Sequence, residues 1–277
     1  MSPTVPAPDG SSRNARLLEI LRGGGPDAGD PEPFTLAGLS AALCEQSRAE
    51  LDAALERVLA GGSREDVEVE LASSSGQQRH VLMKIRPLLR GSGVITGAIA
   101  SVLDVTDSAR ARHELEMRAT FDALTGAHNR ASITTALAAE LEQSSETAVA
   151  YVDLDRFKSV NDTLGHAAGD EVLAEVAARL KAAMRSSDEL GRLGGDEFLI
   201  LLRGVASLDV AMAAARRLSE SVRGTCVVSS GSVELCASVG VAYISEAVSA
   251  EELLERADAA MYRSKLQQQR GVPVLAA

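Results

Sequence analysis

The sequence has 277 residues, of which 45% are hydrophobic and 3% are aromatic, and its formal net charge is −11. This length exceeds that of one typical compact domain, so we expect two domains. The acidic balance argues against a nucleic-acid backbone or an anionic membrane surface as the main partner, whereas an anionic small molecule needs only a few local cations.

The first 33 residues hold most of the prolines and are predicted to form a flexible tail. They lack the basic and apolar regions of a secretion signal. The longest mostly apolar stretch, residues 93–103, is much shorter than the roughly 20 residues that span a bilayer, so no membrane span is expected. The three cysteines have no metal-ligand spacing and are typical of reduced thiols, which favours a cytoplasmic protein.

Residues 34–106 are predicted to form a small α+β domain. Apolar residues recur at helical spacing over residues 48–60, and a Gly-Gly pair ends this helix. Three strand-like runs follow, separated by short turns, which is typical of an antiparallel meander. The polar, helix-prone residues 107–120 are predicted to be a connecting helix.

Residues 121–277 alternate between helical and strand-like patterns. Because one hairpin interrupts the alternation, the pattern predicts an α/β domain with a mixed sheet rather than a purely parallel one. Helices are predicted over residues 133–141, 170–184, 210–222 and 249–267, and the helix at 249–267 begins with a capping box formed by Ser249 and Glu252. Strands are predicted over residues 147–152, 190–193, 199–202 and 233–244, and the strand at 233–244 has a kink at Gly240.

The predicted hairpin turn carries adjacent carboxylates, Asp196 and Glu197, directly after Gly194 and Gly195. Glycines let a ligand approach the backbone, and paired carboxylates are oxygen ligands that suit Mg²⁺. Another carboxylate, Asp153, ends a buried strand, where α/β proteins tend to place ligand sites. An isolated turn of this kind is more typical of an acidic tip that faces water, so the rest of the chain decides between the two interpretations.

The segment after Asp153 is rich in hydrogen-bonding side chains. Taken singly, Asp170 is typical of a helix N-cap, Asn161 of a loop and Lys158 of a charged surface. Together they lie between two carboxylate clusters on strands that should be neighbours, where Mg²⁺ would bridge phosphates at an attacked phosphorus. An amide and a carboxylate also match the donors and acceptors of guanine.

Six motifs occur in this order over about residues 122–271. They are Asp122-Ala-Leu-Thr-Gly-Ala-His-Asn-Arg130, Asp153-Leu-Asp-Arg-Phe-Lys158, Asn161-Asp-Thr-Leu-Gly-His-Ala-Ala-Gly-Asp170, Gly191-Arg-Leu-Gly-Gly-Asp-Glu-Phe198, Ser238-Val-Gly-Val-Ala242 and Ala257-Asp-Ala-Ala-Met-Tyr-Arg-Ser-Lys265. In sequence and spacing this set resembles the GGDEF family of diguanylate cyclases. The resemblance implies a βαββαβ core related to nucleotidyl cyclases and polymerase palm domains. It also implies that two GTP molecules give cyclic di-GMP and two pyrophosphates in a homodimer, with one GTP in each half-site.

The resemblance further implies roles for individual residues. Asp153, Asp196 and the backbone carbonyl of Leu154 resemble the ligands of Mg²⁺ or Mn²⁺, with two ions per active site. Glu197 looks like a further metal ligand or the group that activates the attacking 3′-hydroxyl, and Lys158 resembles the lysine that stabilises phosphate charge. The residues that resemble GTP contacts are Phe157, Asn161, His166, Asp170, Gly194, Gly195 and Lys265.

Two other features concern regulation and affinity. Arg185 and Asp188 are spaced like a local salt bridge, but they match the RxxD product-inhibition site of the family, where the arginine would bind cyclic di-GMP bidentately.

Many family members place an arginine four residues after the last lysine. This sequence has Gln269 there and Arg270 one position later, so a phosphate contact is either lost or supplied by Arg270.

Residues 66–107 resemble the C-terminal half of a PAS sensor domain, and Asp104-Val-Thr106 matches the Asp-x-Thr that often precedes a signalling helix. The first PAS strands and pocket helices are not evident in the sequence between Phe34 and Arg48. The sequence alone therefore does not decide whether this PAS-like domain is complete or truncated. A lone histidine such as His80 is more typical of a surface residue than of a haem ligand, so no cofactor is assigned here. The domain is expected to sense a signal or to control dimerisation.

Two alternative functions remain open. A catalytically silent GGDEF module would bind GTP or cyclic di-GMP and signal through protein contacts. Such modules usually lose an acid or a glycine of the hairpin, and all five residues of Gly194–Phe198 are present. A cyclase that uses another nucleotide is disfavoured by Asn161 and Asp170.

Overall fold

The structure, a computed structural model, divides into two compact units between Glu114 and Leu115. The predicted tail, Gln269 and Arg270 lie outside the residues that it describes. Those residues are 43–61, 63–72, 78–91, 93–143, 146–244, 248–266 and 272–276.

The first unit consists of one helix and a three-stranded sheet within the described residues. The elements are α1 (Glu45–Gly61), β1 (Glu65–Ala72), β2 (Gln78–Arg90) and β3 (Val94–Asp104). The sheet is antiparallel with the order β1-β2-β3, which confirms the predicted meander. Apolar residues three and four apart on α1 and two apart on β2 form one buried cluster, because each element gathers them on a single face.

An Asp-x-Thr turn connects this sheet to helix α2 (Thr106–Thr120), which matches the predicted connecting helix. The Asp104 carboxylate accepts hydrogen bonds from the N–H of Thr106 at 2.9 Å and from its hydroxyl at 2.6 Å. The Thr106 hydroxyl oxygen accepts from the His80 N–H at 3.0 Å. The turn therefore caps α2 and ties its first residue to β2.

The second unit consists of helices packed on a five-stranded sheet. Its elements are α3 (Arg130–Gln143), β4 (Thr147–Leu154), α4 (Phe157–Leu164), α5 (His166–Ala183), β5 (Glu189–Gly194), β6 (Glu197–Arg203), α6 (Leu208–Val222), β7 (Gly224–Val228), β8 (Gly231–Leu235), β9 (Ala237–Tyr243), α7 (Ala250–Leu266) and β10 (Val274–Leu275). The strand order is β10-β9-β4-β6-β5, and β7 pairs with β8 in a separate sheet. Since β4 is antiparallel to β6 and β9 while β10 is parallel to β9, the sheet is mixed, as predicted.

Helices cover both faces of this sheet. Every residue of β4 is buried, which requires apolar layers on both sides. One layer includes apolar residues of α5 and α6, and the other includes apolar residues of α3 and α7. Tyr151 belongs to the second layer, and Asp153 points to that same side because residues two apart in a strand share a face.

The predicted single strand over residues 233–244 is wrong. The structure has two strands, β8 and β9, which meet at Cys236 and belong to different sheets. Apolar alternation runs through the break without a glycine or proline, so the pattern contains no sign of it. At Gly240, where a kink is predicted, the pairing is not interrupted, since β9 pairs continuously with β4 from Ala237 to Tyr243.

The segment after β4 also differs from the sequence interpretation. Helix α4 is present where no helix is predicted, and α5 begins at His166 rather than near Gly169. Asp170 therefore lies inside α5 and is not its N-cap. Gly165, with φ 87°, separates the two helices. The strands β7 and β10 are not predicted either.

The capping box at the last helix is confirmed in part, because the Ser249 hydroxyl accepts from the Glu252 N–H at 3.1 Å. All three cysteines are free thiols, as predicted, and Cys226 is buried in β7. Within the part of the chain that the structure describes, no helix combines the length and the apolar composition needed to cross a bilayer.

Candidate active site

The ends of β4 and β6 bring predicted site carboxylates together. In the ladder between these strands Asp153 is directly opposite Glu197, and such residues have Cβ atoms about 4.5–5.5 Å apart. Asp196 precedes Glu197 in the turn. Asp153 is only 5% exposed, whereas Asp196 and Glu197 are half-buried. Three carboxylates thus lie at one end of the sheet.

Asp153 is a buried carboxylate that pairs with a lysine from another element. Burial raises the pKa of Asp153 to about 6; the negative charges of Asp196 and Glu197 act in the same direction, and Lys265 opposes them. The Nζ atom of Lys265, in the last turn of α7, lies 2.6 Å from Oδ1 of Asp153. Lys265, predicted to contact the triphosphate, therefore reaches a predicted metal ligand.

These residues fit a divalent cation whose coordination a substrate completes. Among the described residues, no three His, Cys, Asp or Glu side chains converge closely enough to hold a metal ion by themselves. Mg²⁺ in nucleotide enzymes is usually bound by one or two carboxylates, with substrate phosphates and water as the other ligands. A buried aspartate with a raised pKa, next to two carboxylates, supplies negative charge that a cation would neutralise. The arrangement fits a metal–triphosphate site and not a closed protein cage.

The turn between β5 and β6 depends on its glycines. Gly194 and Gly195 have φ values of 148° and 53°, which residues with a side chain rarely adopt. Both are exposed, and no atom lies within 4 Å of the position of a Cβ at either residue. The surface above the turn is therefore open to a ligand.

Arg192 and Asp122 hold this turn, although neither has a role assigned from the sequence. Nη1 of Arg192 lies 3.1 Å from each carboxylate oxygen of Asp122, and Nε and Nη2 donate to the Gly195 carbonyl at 3.0 and 2.8 Å. Partial burial opposes ionisation of Asp122, but hydrogen bonds from Thr125 and Arg192 outweigh it and lower its pKa. Both residues lie in family motifs, which is the signal that could have pointed to them.

The connection from β4 to α4 contains a strained residue. Arg156 has φ 62° and is the single non-glycine residue with a positive φ among the described residues. This conformation costs roughly 1–2 kcal/mol in a non-glycine residue, and such strain concentrates at functional sites. It turns the chain sharply after Asp153 and Leu154, so that α4 begins beside the carboxylates.

The predicted guanine contacts lie at the junction of α4 and α5. A Cβ on Gly169 would lie 1.9 Å from Oδ1 of Asn161 and 3.3 Å from Cζ of Phe157. Glycine at this position therefore makes room for the Asn161 side chain, while Phe157 is buried beneath it. Asp170, the next residue, is exposed.

Two more predicted contacts, Lys158 on α4 and His166 at the start of α5, have exposed side chains. Among the hydrogen bonds and ion pairs of the described residues, none joins either side chain to the site carboxylates. Lys158 and His166 therefore lie on the helices next to the site. Their predicted contacts are with a bound nucleotide and not with the carboxylates.

Arg185 and Asp188 lie at the other end of β5 from the glycine turn. The Asp188 carboxylate accepts from the backbone N–H of Arg185 at 2.9 Å, and the Asp188 N–H donates to the Arg185 carbonyl at 3.1 Å. A backbone-capping turn, and not a side-chain salt bridge, joins the two residues. The Arg185 side chain is exposed.

Two family models match the chain. The model for the GGDEF domain of diguanylate cyclases matches residues 119–271, and the model for a PAS fold matches residues 24–110. The first match contains every residue discussed at the strand ends and at the α4–α5 junction.

Known proteins with similar sequences or structures include diguanylate cyclases and solved GGDEF domains. The chain is 38% identical over 204 residues to the probable diguanylate cyclase DgcE of Escherichia coli, a match that covers 72% of this chain and 18% of DgcE. The solved GGDEF domain of TpbB from Pseudomonas aeruginosa is 40% identical with a TM-score of 0.54, and the match covers 57% of this chain and 94% of that one. The coiled coil and GGDEF domain of DgcB from Caulobacter crescentus, solved in complex with c-di-GMP, is 28% identical with a TM-score of 0.55, covering 61% and 94%. The chain spans less than half the length of the curated DgcE and TpbB proteins.

Proposed function

The chain belongs to the family of diguanylate cyclase GGDEF domains, and from this premise we propose that it condenses two GTP molecules into cyclic di-GMP with release of two pyrophosphates. The observation that carries the proposal is the buried Asp153, which lies opposite Glu197 and pairs with Lys265. Burying a carboxylate beside two others is costly. A strongly perturbed carboxylate next to an open, glycine-lined surface favours a site for a charged ligand over an acidic tip in water.

We assign the guanine to the α4–α5 junction and the triphosphate to the hairpin. The amide of Asn161 and the carboxylate of Asp170 offer a donor and acceptors for the guanine edge. The ammonium groups of Lys158 and Lys265 supply local positive charge, which a triphosphate needs on an acidic protein. His166 and Phe157 border the nucleotide.

Asp153, Asp196, Glu197 and the Leu154 carbonyl would hold Mg²⁺ or Mn²⁺, which when bound lowers the cost of charge at the attacked phosphorus. Lys265 then has two successive partners. It neutralises Asp153 in the absence of substrate, and it pairs with a phosphate oxygen once the substrate arrives. Its side chain is 37% exposed, so this exchange requires no change in the buried layers.

In the reaction, the 3′-oxygen of one GTP forms a bond to the α-phosphorus of the other, and the bond from that phosphorus to the pyrophosphate oxygen breaks. Glu197 accepts the 3′-hydroxyl proton or helps to bind the metal. Since each GTP supplies both a nucleophile and a leaving group, two chains must face each other. We therefore propose a homodimer whose assembly or orientation is controlled by the N-terminal unit.

The test is to incubate the purified protein with GTP and Mg²⁺ and to measure cyclic di-GMP and pyrophosphate chromatographically. We expect one cyclic di-GMP for two pyrophosphates. Glu197→Gln is expected to lower the rate by about 100-fold or more. Glu220→Gln, the same change at an exposed position of α6, should leave the rate unchanged.

Each alternative function has its own outcome in this assay. GTP binding without product at dimer-forming concentrations would indicate a silent signalling module. Conversion of ATP in preference to GTP would refute the guanine assignment. A Glu197→Gln variant as fast as the wild type would refute the role of Glu197.

We also propose that cyclic di-GMP inhibits the enzyme by binding to Arg185 and Asp188. An exposed arginine held by a capped turn can offer its guanidinium bidentately to a phosphate or a guanine. Arg185→Ala is expected to raise the product concentration for half inhibition at least about tenfold while the initial rate stays unchanged. Arg216→Ala, an exposed arginine on α6, is the matched control. Equal inhibition of the wild type and Arg185→Ala would exclude this site.

A further inference from the structure

Ser238 is a buried polar residue at the end of the sheet where the candidate site lies. It belongs to β9, directly opposite Asp153 of β4, and is 1% exposed. Its hydroxyl donates to Oδ1 of Asp155, the first residue after β4, at 2.8 Å. Because a buried hydroxyl is costly without a hydrogen-bond partner, the carboxylate of Asp155 accounts for a serine at this position.

A second contact holds the same aspartate by its backbone. The Asp155 N–H donates to the Cys236 carbonyl at 2.9 Å. The pairing of β4 with β9 therefore continues one position beyond the ladder, which ends at Leu154 and Ala237. Asp155 is thus attached by its side chain to β9 and by its backbone to the junction of β8 and β9. Two bonds from different parts of one residue determine both its position and its orientation.

The backbone contact of Asp155 determines the direction of the Leu154 carbonyl. In a trans peptide, the carbonyl of one residue and the N–H of the next point in opposite directions, and the described residues contain no cis peptide. Because the Asp155 N–H points to β9, the Leu154 carbonyl points to the other side of β4, where β6 lies. The β4–β6 ladder ends at Asp153 and Glu197. The carbonyl therefore lies just beyond the last pair of this ladder, next to the site carboxylates.

The residue that follows Asp155 is Arg156, the residue with the left-handed backbone. Its side chain is exposed, so burial of that side chain does not hold the backbone in this conformation. Strain of this kind persists only where the surrounding contacts determine the conformation. The two bonds of Asp155 are such contacts, and α4 begins directly after the turn, at Phe157. The bonds thus hold both the end of β4 and the start of α4.

We propose that Ser238 and Asp155 are positioning residues, which hold the turn between β4 and α4 so that the Leu154 carbonyl faces the metal site. This inference rests on the proposed function, in which that carbonyl binds the metal and Asn161 on α4 contacts guanine. Without the Ser238 hydroxyl, Arg156 relaxes towards the right-handed conformation, which turns the carbonyl and α4 away from the carboxylates. Neither positioning side chain touches the substrate or the metal, so their effect on catalysis passes through the turn.

The test is a double-mutant cycle at Ser238 and Asp155. With saturating GTP and Mg²⁺, we expect Ser238→Ala to lower kcat about tenfold, as for the loss of one hydrogen bond. In an Asp155→Ala background the same change should alter kcat less than about twofold, because the bond is already missing. Ser219→Ala on α6 is the control and should leave kcat unchanged. Ser219 is also 1% exposed, but its hydroxyl has no hydrogen-bond partner among the described residues.

Two further variants distinguish positioning from other roles. Asp155→Asn keeps an oxygen that accepts from Ser238, so we expect its kcat within about threefold of the wild type. Glycine adopts the left-handed conformation without strain. Adding Arg156→Gly to Ser238→Ala should therefore bring kcat back to within about threefold of the wild type.

Four kinetic results would overturn the proposal. Two come from the cycle, namely equal losses from Ser238→Ala in both backgrounds and a Ser238→Ala kcat within about twofold of the wild type. The third is an Asp155→Asn variant as slow as Asp155→Ala, which would indicate that the charge of Asp155 acts on the metal. The fourth is a double variant with Arg156→Gly that is as slow as Ser238→Ala alone, which would exclude the turn as the route of the effect.

Crystal structures of the wild type and Ser238→Ala without nucleotide provide a readout that needs no activity. We expect the bond from Ser238 to Asp155 and a left-handed Arg156 in the wild type, and a negative φ at Arg156 with a displaced Leu154 carbonyl in the variant. If the structures differ in this way but the wild type makes no cyclic di-GMP, the positioning role stands and the assigned reaction fails. An unchanged turn in the variant overturns the positioning role, whatever the kinetics show.

Discussion

Asp153→Asn is expected to lower cyclic di-GMP synthesis by at least about 1,000-fold and, in the absence of divalent metal, to make the protein more stable. Asparagine has nearly the same shape as aspartate, so the buried layers remain packed. Asparagine lacks the negative charge that would bind the metal and that pairs with Lys265, whose Nζ lies 2.6 Å from Oδ1 of Asp153. It also removes a buried negative charge that Asp196 and Glu197 repel.

The gain in stability should depend on pH. Folding raises the pKa of Asp153 from 3.8 to about 6, so between these values the folded state holds a proton that the unfolded state has released. The contribution of Asp153 to stability is therefore fully present below pH 4 and is lost as the pH rises through 6. The loss amounts to at most about 3 kcal/mol. Asparagine does not titrate and has no such loss.

Unfolding followed by denaturant at several pH values in the presence of a chelator measures this difference. The free energies of unfolding of the wild type and Asp153→Asn should converge near pH 4 and separate above pH 6, with the variant more stable. Glu220→Gln serves as the control, since its side chain is exposed. A variant that is less stable than the wild type by the same amount at every pH would show that the buried charge of Asp153 does not destabilise the fold.

Gly240→Ala is expected to destabilise the second unit by about 3 kcal/mol or more and to abolish activity. A Cβ at this position would lie 2.1 Å from the Ala257 carbonyl oxygen and 2.2 Å from the Met261 backbone nitrogen. Both atoms belong to the backbone of α7, so no side-chain rotation relieves the clash. Helix α7 must move away from β9, and it carries Lys265 with it.

Gly97→Ala is the matched control for this substitution. Gly97 is also a strand glycine, in β3, and no atom lies within 4 Å of the position of its Cβ. We expect Gly97→Ala to change the free energy of unfolding by less than about 1 kcal/mol. If Gly240→Ala unfolded at the same denaturant concentration as Gly97→Ala, the close packing of α7 on β9 would be wrong.

Much of the fold is predictable because periodicity follows directly from burial. The three strand-like runs and the helical spacing over residues 170–184 reflect elements that cover one face, and the predicted meander and helix are both present. Helix α4 is not predicted because it has eight residues and exposes a polar face beside the site. A helix this short is marginal in isolation and forms through packing of residues such as Phe157.

The site is predictable only to the extent that neighbouring strands bring its residues together. Asp153 and the hairpin carboxylates follow from the expected pairing of their strands, which the β4–β6 ladder confirms. The contacts of Lys265 with Asp153 and of Arg192 with Asp122 join distant segments, and the latter pair is 70 positions apart. No local pattern encodes such contacts, since they depend on where a helix or a turn comes to lie on the sheet.

A crystal structure with Mn²⁺ and 3′-deoxy-GTP would decide whether the proposed site is correct, because this nucleotide lacks the attacking hydroxyl and Mn²⁺ is located by its anomalous scattering. We expect Mn²⁺ bound by the Asp153 and Asp196 carboxylates and the Leu154 carbonyl. We also expect guanine at Asn161 and Asp170, and Lys265 moved from Asp153 to a phosphate oxygen. A nucleotide bound elsewhere, or Mn²⁺ bound away from Asp153 while Lys265 keeps its pairing, would contradict this expectation.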